Sequence, residues 1–291
     1  VLSFRNLNLA PDTILNIAEL RSTVARWRAA GEKVAFVPTM GALHDGHLSL
    51  VLLARAEGAR VIVSIFVNPL QFGPTEDFAR YPRTLKDDVE KLKIVGADVV
   101  FAPAAAEIYP IGFQTSVINK KMSHGLCGKF RPGHFDGVLT VVLKLLNIVS
   151  PDLALFGKKD YQQWRLIERM ALDLELPLEI RGCDTVREKD GVAMSSRNRY
   201  MSAEEREEST LIYKGLSAAR AAWQGGERSR GKLLAAFSDS ISRCPRMTIQ
   251  YAEIVDCFSL EPAIGQVADK NLVMIVAVLF GDVRLIDNLE F

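Results

Sequence analysis

Apolar runs of strand length recur through the first two thirds of the chain, at residues 34–38, 61–67, 99–102, 153–156 and 178–183. They are apolar at consecutive positions and partly β-branched, as strands covered on both faces of a parallel sheet are. Between them, residues 17–30, 48–56, 85–95, 138–148 and 162–174 carry helical patterns. This alternation predicts an α/β fold, a Rossmann-like parallel sheet with helices on both faces. Ligands in such folds sit at the carboxyl ends of the strands.

Beyond about residue 185 the texture changes. A charged helix over 203–223 leads to a break at Gly225 and Gly226, a second helix over 231–242, and apolar strands at 249–255 and 272–280. We therefore expect two domains: residues 1–185, Rossmann-like, and residues 186–291, a smaller C-terminal α+β domain.

Composition narrows the function. Of 291 residues, 36 are Lys or Arg and 35 are Asp or Glu, a net charge of +1. Nothing global advertises nucleic acid or a membrane surface, so any basic site must be local. The four cysteines are far apart, without a C-x-x-C pair, which argues against a zinc site or disulfide framework and for a reducing cytoplasm. The apolar runs are too short to span a bilayer, and no export signal is recognised at the N-terminus.

The densest chemistry lies at 37–47, where a strand runs into Met40, Gly41, His44, Gly46 and His47 and a helix is expected to open at Gly46 or His47. Unpaired amides at a helix start form an anion site, and glycines let a phosphate approach the backbone. The spacing of Gly41 and Gly46 imitates a P-loop, but His47 and Leu48 stand where Lys and Ser or Thr are required. His44 and His47 in H-x-G-H spacing can instead donate to phosphate oxygens, although either could simply cap the helix. A second segment holds Met194, Ser195, Ser196 and Arg197, hydroxyls and a guanidinium suited to a leaving pyrophosphate, or an exposed turn and cap. A third, after the strand at 153–156, holds Gly157, Lys158, Lys159 and Asp160, where a lysine can hold phosphate and Asp160 can orient a ribose or the lysine. Gln71 and Gln163 follow strand ends and could grip a hydroxylated acid, or lie on the surface.

An H-x-G-H turn with a distant Ser/Arg loop resembles the nucleotidylyltransferase superfamily. Across blocks 37–47, 64–71, 80–85, 130–138, 157–163, 190–198 and 281–288 the chain closely resembles the pantothenate synthetase (pantoate–β-alanine ligase) family. That resemblance implies condensation of (R)-pantoate with β-alanine through an acyl-adenylate, with ATP cleaved to AMP and pyrophosphate and Mg²⁺ as cofactor. It implies ATP along Met40 to His47, Gly157 to Asp160, Val186 and Met194 to Arg197. His47 matches the family's proton donor, with His44, Lys159 and Arg197 dispersing charge beside it, and Gln71 and Gln163 match the pantoate-holding residues. Arg131 and His134 fall in a loop near the site, and members of the family are usually homodimers. Asp87 and Asp88 are candidate Mg²⁺ ligands. Lys158 stands where Glu or Gln is commoner, and Trp164 where Leu is usual. The alternatives to weigh are a nucleotidyl transferase without an amine site and a regulatory module that has lost catalysis.

Overall fold

The computed structural model describes residues 10–281 and 283–291. The start of the chain, where no export signal was recognised, and residue 282 of the last resemblance block lie outside the described residues.

The first two thirds build β1 (Asp12–Ile14), α1 (Ile17–Ala29), β2 (Val34–Thr39), α2 (Asp45–Ala56), β3 (Arg60–Ile65), α3 (Leu85–Val95) and β4 (Val99–Phe101). Then come the short α4 (Ala105–Ile108) and α5 (Cys127–Phe130), followed by α6 (His134–Val149), β5 (Leu153–Gly157), α7 (Tyr161–Asp173) and β6 (Glu179–Cys183). The six strands form one parallel sheet in the order β1-β4-β3-β2-β5-β6.

Successive residues of each strand feed opposite cores, which explains their unbroken apolar character. Val34, Phe36, Ile62, Val99, Phe101 and Phe156 pack with α1, α6 and α7. Ala35, Val37, Val61, Val63, Val100 and Leu155 pack with α2 and α3. The chain leaves β2 for β3 on one side and returns as β5 on the other, so the sheet order reverses between β2 and β5. A crevice opens at the carboxyl ends of strands at such a switch point.

The remainder forms α8 (Ala203–Glu208), α9 (Thr210–Gln224), α10 (Arg230–Ile241) and an antiparallel sheet of β7 (Met247–Asp256), β8 (Leu272–Phe280) and β9 (Val283–Glu290). One face of this sheet packs on α9 and α10 through Met274, Val276, Leu216 and Phe237. On the other face, Val255, Val273 and Ile275 join the core beneath α6 and α7. The helix expected over 203–223 is broken at Ser209, a buried residue whose hydroxyl donates to the Arg206 carbonyl at 2.7 Å. β9 is an element the hydrophobic pattern did not disclose.

Candidate active site

The turn between β2 and α2 is built by backbone conformation. Gly41 takes φ +82° and Ala42 φ +50°, which swings the chain from the strand into the helix. That left-handed pair is braced from behind by Asp88, which is fully buried. Its Oδ2 accepts from the Ala42 amide at 2.9 Å and the Thr84 hydroxyl at 3.0 Å, and its Oδ1 from the Leu43 amide at 2.8 Å. The expected Mg²⁺ ligand pair thus divides in place: Asp88 is held by three donors that brace the turn, and Asp87 is exposed in the first turn of α3. A Cβ on Gly41 would lie 3.0 Å from Ile65 and 3.1 Å from Asp88, so glycine is also needed for the close approach.

The helix opens at Asp45, with His44 as its N-cap, one position earlier than expected. The His47 and Leu48 amides turn back to the His44 carbonyl, at 2.8 and 3.1 Å, leaving those of Asp45 and Gly46 for an incoming anion. A Cβ on Gly46 would stand 3.0 Å from the His44 ring, so glycine lets that imidazole fold back over the first turn. The two imidazole centroids are 4.0 Å apart. Burial, with Lys159 nearby, lowers His44 to about 4, and burial with His44 and Lys159 holds His47 well below the usual imidazole range. Both are neutral at pH 7. The His44 amide faces His47 Nδ1 at 3.4 Å, which assigns the proton to Nε2 and makes that nitrogen the donor.

Two cavities adjoin here. The inner one, about 210 Å³, takes Met40, His44, Gly46 and His47 on one wall and Gly157, Val186, Met194 and Ser196 on another. Its remaining wall is Gln71 with the apolar side chains of Phe66, Val138, Val141 and Val142. The outer cavity, about 270 Å³, runs toward the second sheet past Arg131, Tyr251 and Arg284. Lys159, Asp160, Gln163, Ser195 and Arg197 line both and form the junction. Residues that the sequence scatters widely thus meet in one crevice at the sheet's switch point.

Gln71 is held in a short 3-10 turn, Pro69–Gln71. Its Oε1 accepts from Asn68 at 3.1 Å and its Nε2 points at Met40 Sδ, 3.0 Å away. The start of α6 presses against this turn: a Cβ on Gly137 would lie 2.1 Å from the Leu70 carbonyl oxygen. His134 Nδ1 lies 2.8 Å from the Gln71 carbonyl and its Nε2 lies 2.9 Å from an Arg131 nitrogen, an arrangement that protonates Nδ1. Burial, then the Arg131 charge, lowers His134 to about 4. Arg131 in turn grips Glu76 with two bonds of 2.6 Å.

Arg197 makes a bidentate pair with Asp77, both bonds 2.9 Å. Ser195 caps its turn, accepting from the Arg197 amide at 3.2 Å, and the buried Ser196 hydroxyl reaches the Ala42 carbonyl at 3.4 Å. Val186 and Met194 are paired, the Met194 amide donating to the Val186 carbonyl at 3.1 Å.

Two of the expected nucleotide contacts are placed differently from the rest. Gly41 lines neither cavity, because Asp88 and Ile65 fill the space beside it. The Lys158 ammonium turns away to Glu290 and Asp184, each at 3.1 Å, and lies 5.8 Å over the Trp164 ring. The two departures from the family pattern are therefore in contact with each other. Trp164 itself rests on Gly182, where a Cβ would lie 2.3 Å from the indole.

Several site groups carry no local sequence signal. Asn288, on β9, donates through one amide nitrogen to the carbonyls of Lys158 at 2.8 Å and Lys159 at 2.9 Å. Beside it the buried Asp287 takes a bidentate bond from Arg187, at 2.7 and 2.9 Å. Asp77, Glu76 and this pair meet their partners only across long stretches of chain.

Known proteins of one family resemble this chain over nearly its whole length. The profile of the Pantoate-beta-alanine ligase family matches residues 12–290. The chain is 49% identical to the pantothenate synthetase of Syntrophotalea carbinolica over 277 residues, 95% of this chain and 97% of that protein. The crystal structure of pantothenate synthetase from Thermus thermophilus superposes with a TM-score of 0.90 at 46% identity, covering 96% of this chain and 99% of that one. A Francisella tularensis pantoate–β-alanine ligase, solved in complex with beta-gamma ATP and β-alanine, gives 0.79 at 35% identity over 97% and 98% of the two chains. A family profile spanning nearly the whole chain, and relatives this similar at this coverage, leave one conclusion: the chain belongs to the pantoate–β-alanine ligase family.

Proposed function

We propose that this protein joins (R)-pantoate to β-alanine in two steps, through a pantoyl adenylate, releasing pyrophosphate and then AMP. The observation that carries the reading is the junction: an inner cavity walled by the histidine turn and Gln71 meets an outer cavity across Lys159 and Gln163. A two-step ligase needs that plan, one chamber for the adenylate and a second approach for the amine. The Francisella relative's complex with a nucleotide and β-alanine supports the nucleotide and the amine as substrates.

In the first step a pantoate carboxylate oxygen bonds to the α-phosphorus and the bond to the β-phosphate bridging oxygen breaks. A carboxylate is already anionic at pH 7, so no enzymic base is needed. What is needed is positioning and charge dispersal. His47 supplies an Nε2–H donor, with the His44 ring packed against it. Both are neutral at rest, and growing phosphate charge draws them toward the cationic form. Lys159 is the more available cation, its Nζ held only loosely by Asp160 at 3.7 Å, whereas Arg197 must share itself with Asp77. The amides of Gln71 and Gln163 suit the two hydroxyls of pantoate, and the valines of α6 suit its geminal methyls. In the second step the amine attacks the acyl carbon and AMP departs.

Among the described residues no cluster of three or more His, Cys, Asp or Glu forms a metal cage. Asp160, a carboxylate lining both cavities, would hold Mg²⁺ carried chiefly by nucleotide phosphates and water. Bound there, the ion would neutralise phosphate charge. Residues 186–291 we take as a second domain that closes over the nucleotide, because Val186, Met194 and Arg197 wall the inner cavity and Asn288 grips the Lys159 carbonyl. A homodimer is the family's usual state and our expectation. A cytoplasmic location suits four unpaired cysteines, and no helix among the described residues is long and apolar enough to cross a membrane.

The test is pyrophosphate release from ATP with (R)-pantoate alone, followed by addition of β-alanine. One pyrophosphate per site, becoming steady turnover with AMP only when the amine is present, is the expected result. Release that ignores pantoate would leave an adenylylating enzyme with another substrate.

A further inference from the structure

Four arginines line the outer cavity: Arg80, Arg131, Arg197 and Arg284. Two are saturated, Arg131 by Glu76 and Arg197 by Asp77. Arg80 is exposed. Arg284 is different. It is half-buried on β9, and no carboxylate among the described residues lies within ion-pair distance of it. Its Nε donates to Gln250 Oε1 at 2.9 Å, where a bulge in β7 turns that residue inward. Its Nη2 is buried without a hydrogen-bond partner. The Tyr251 ring, 5.8 Å from the guanidinium carbon, and Phe130 stacked on that ring form an apolar wall beside it.

A guanidinium held on a strand, facing a cavity and lacking an anion is incomplete by itself. Desolvating such a charge is unfavourable unless a carboxylate or phosphate completes it. Strand geometry says which. Arg284 and Asn288 are four residues apart on the same face of β9, about 13 Å along the strand. Asn288 grips the Lys159 carbonyl, so Arg284 faces the outer cavity from the end remote from the reacting phosphate. Resting on the ligase reading above, we infer that Arg284 receives the carboxylate of the amino-acid substrate, leaving its amine directed toward the junction.

The experiment compares β-alanine with β-alaninamide, which carries the same amine but no carboxylate, as acceptors of the pantoyl group. The readout is the ratio of their kcat/KM values, from which losses of folded protein or of adenylate formation cancel. Wild type should prefer β-alanine, and Arg284→Gln should reduce that preference on the order of 10²-fold, the effect of losing a charge-assisted pair. Arg284→Lys should retain part of it, since an ammonium keeps the charge but not the fork. An unchanged preference in Arg284→Gln, or a wild type indifferent to the carboxylate, overturns the assignment. So does a raised KM for ATP with the preference intact, which would give the guanidinium to the nucleotide phosphates. Wild type lacking pantoate-dependent pyrophosphate release would instead remove the ligase reading itself.

Discussion

Asp88→Asn tests the construction of the anion site without touching any group that faces a ligand. The carboxylate is fully buried and accepts from two backbone amides and one hydroxyl. An asparagine can keep its oxygen toward Ala42 and Thr84, but its NH₂ then faces the Leu43 amide, donor against donor. One charge-assisted bond is lost and one buried amide is left unpaired, together about 2–4 kcal/mol. For a chain of this size the midpoint of thermal unfolding should fall by roughly 3–7 °C. The brace also holds Gly41 and Ala42 in left-handed conformation, so the turn should relax and the KM for ATP rise on the order of 10-fold. Thermal unfolding followed by circular dichroism, and pyrophosphate release against ATP concentration, measure the two effects. Excess Mg²⁺ separates brace from metal ligand, because a lost ligand is offset by more metal while a lost brace is not. Wild-type stability with an ATP KM restored by Mg²⁺ would refute the bracing argument, and Asp87→Ala should change neither quantity.

Three further outcomes follow from the same geometry. His47→Ala should slow pyrophosphate release on the order of 10²–10³-fold with thermal stability preserved; near-normal release would remove its role as donor. Gly137→Ala places a methyl 2.1 Å from the Leu70 carbonyl oxygen, so it should cost about 1–3 kcal/mol and raise the KM for pantoate by moving Gln71; unchanged unfolding and KM would show that the turn is not pinned there. His44 and His134 sit at about 4 in the fold against 6.5 for a free imidazole. The unfolded chain therefore takes up their protons first, and stability should fall as pH drops from about 6.5 toward 4, by up to roughly 3 kcal/mol per histidine. Urea unfolding at neutral and mildly acidic pH checks this, with a flat profile from His134→Gln for its share; equal stability throughout in wild type would show that the rings are not held neutral.

How much of this was legible depended on the distance between partners. The parallel strands were readable because each buries both faces, so Phe36 and Val37 are both apolar though they serve different cores. β9 was not, since its buried Asp287 and Asn288 look like surface residues until Arg187 and the Lys158–Lys159 carbonyls, 100 to 130 positions away, supply their partners. The histidine turn announced itself because a strand end, two glycines and two imidazoles follow one another within a single short segment. Asp88 is the opposite case: an Asp-Asp pair in sequence suggests a cation site, and only the fold discloses that one side chain faces solvent while the other also braces amides 45 and 46 residues back. Lys158 and Lys159 are adjacent and alike in chemistry, yet a 3-10 turn sends one to Glu290 and the other to the junction.

The balance of charge at the junction gives the nearly neutral composition a mechanistic meaning. Each cation that faces the inner cavity already has a protein anion: Lys159 has Asp160 and Arg197 has Asp77. A triphosphate therefore does not enter a field of bare positive charge; it competes with carboxylates. Competition is easiest where geometry is poorest, at the 3.7 Å contact of Lys159, and hardest at the bidentate pair of Arg197. Lys159 should engage the nucleotide on entry, while Arg197 changes partners only when enough phosphate charge gathers on the pyrophosphate side to displace Asp77. Such an exchange strengthens as negative charge moves onto the leaving group, so it favours the transition state over the bound substrate, which is the condition for catalysis rather than tight binding. Arg284 has no carboxylate among the described residues to exchange, and a site of that kind binds its anion without regard to the progress of the reaction, as suits a group that only has to hold the second substrate in place.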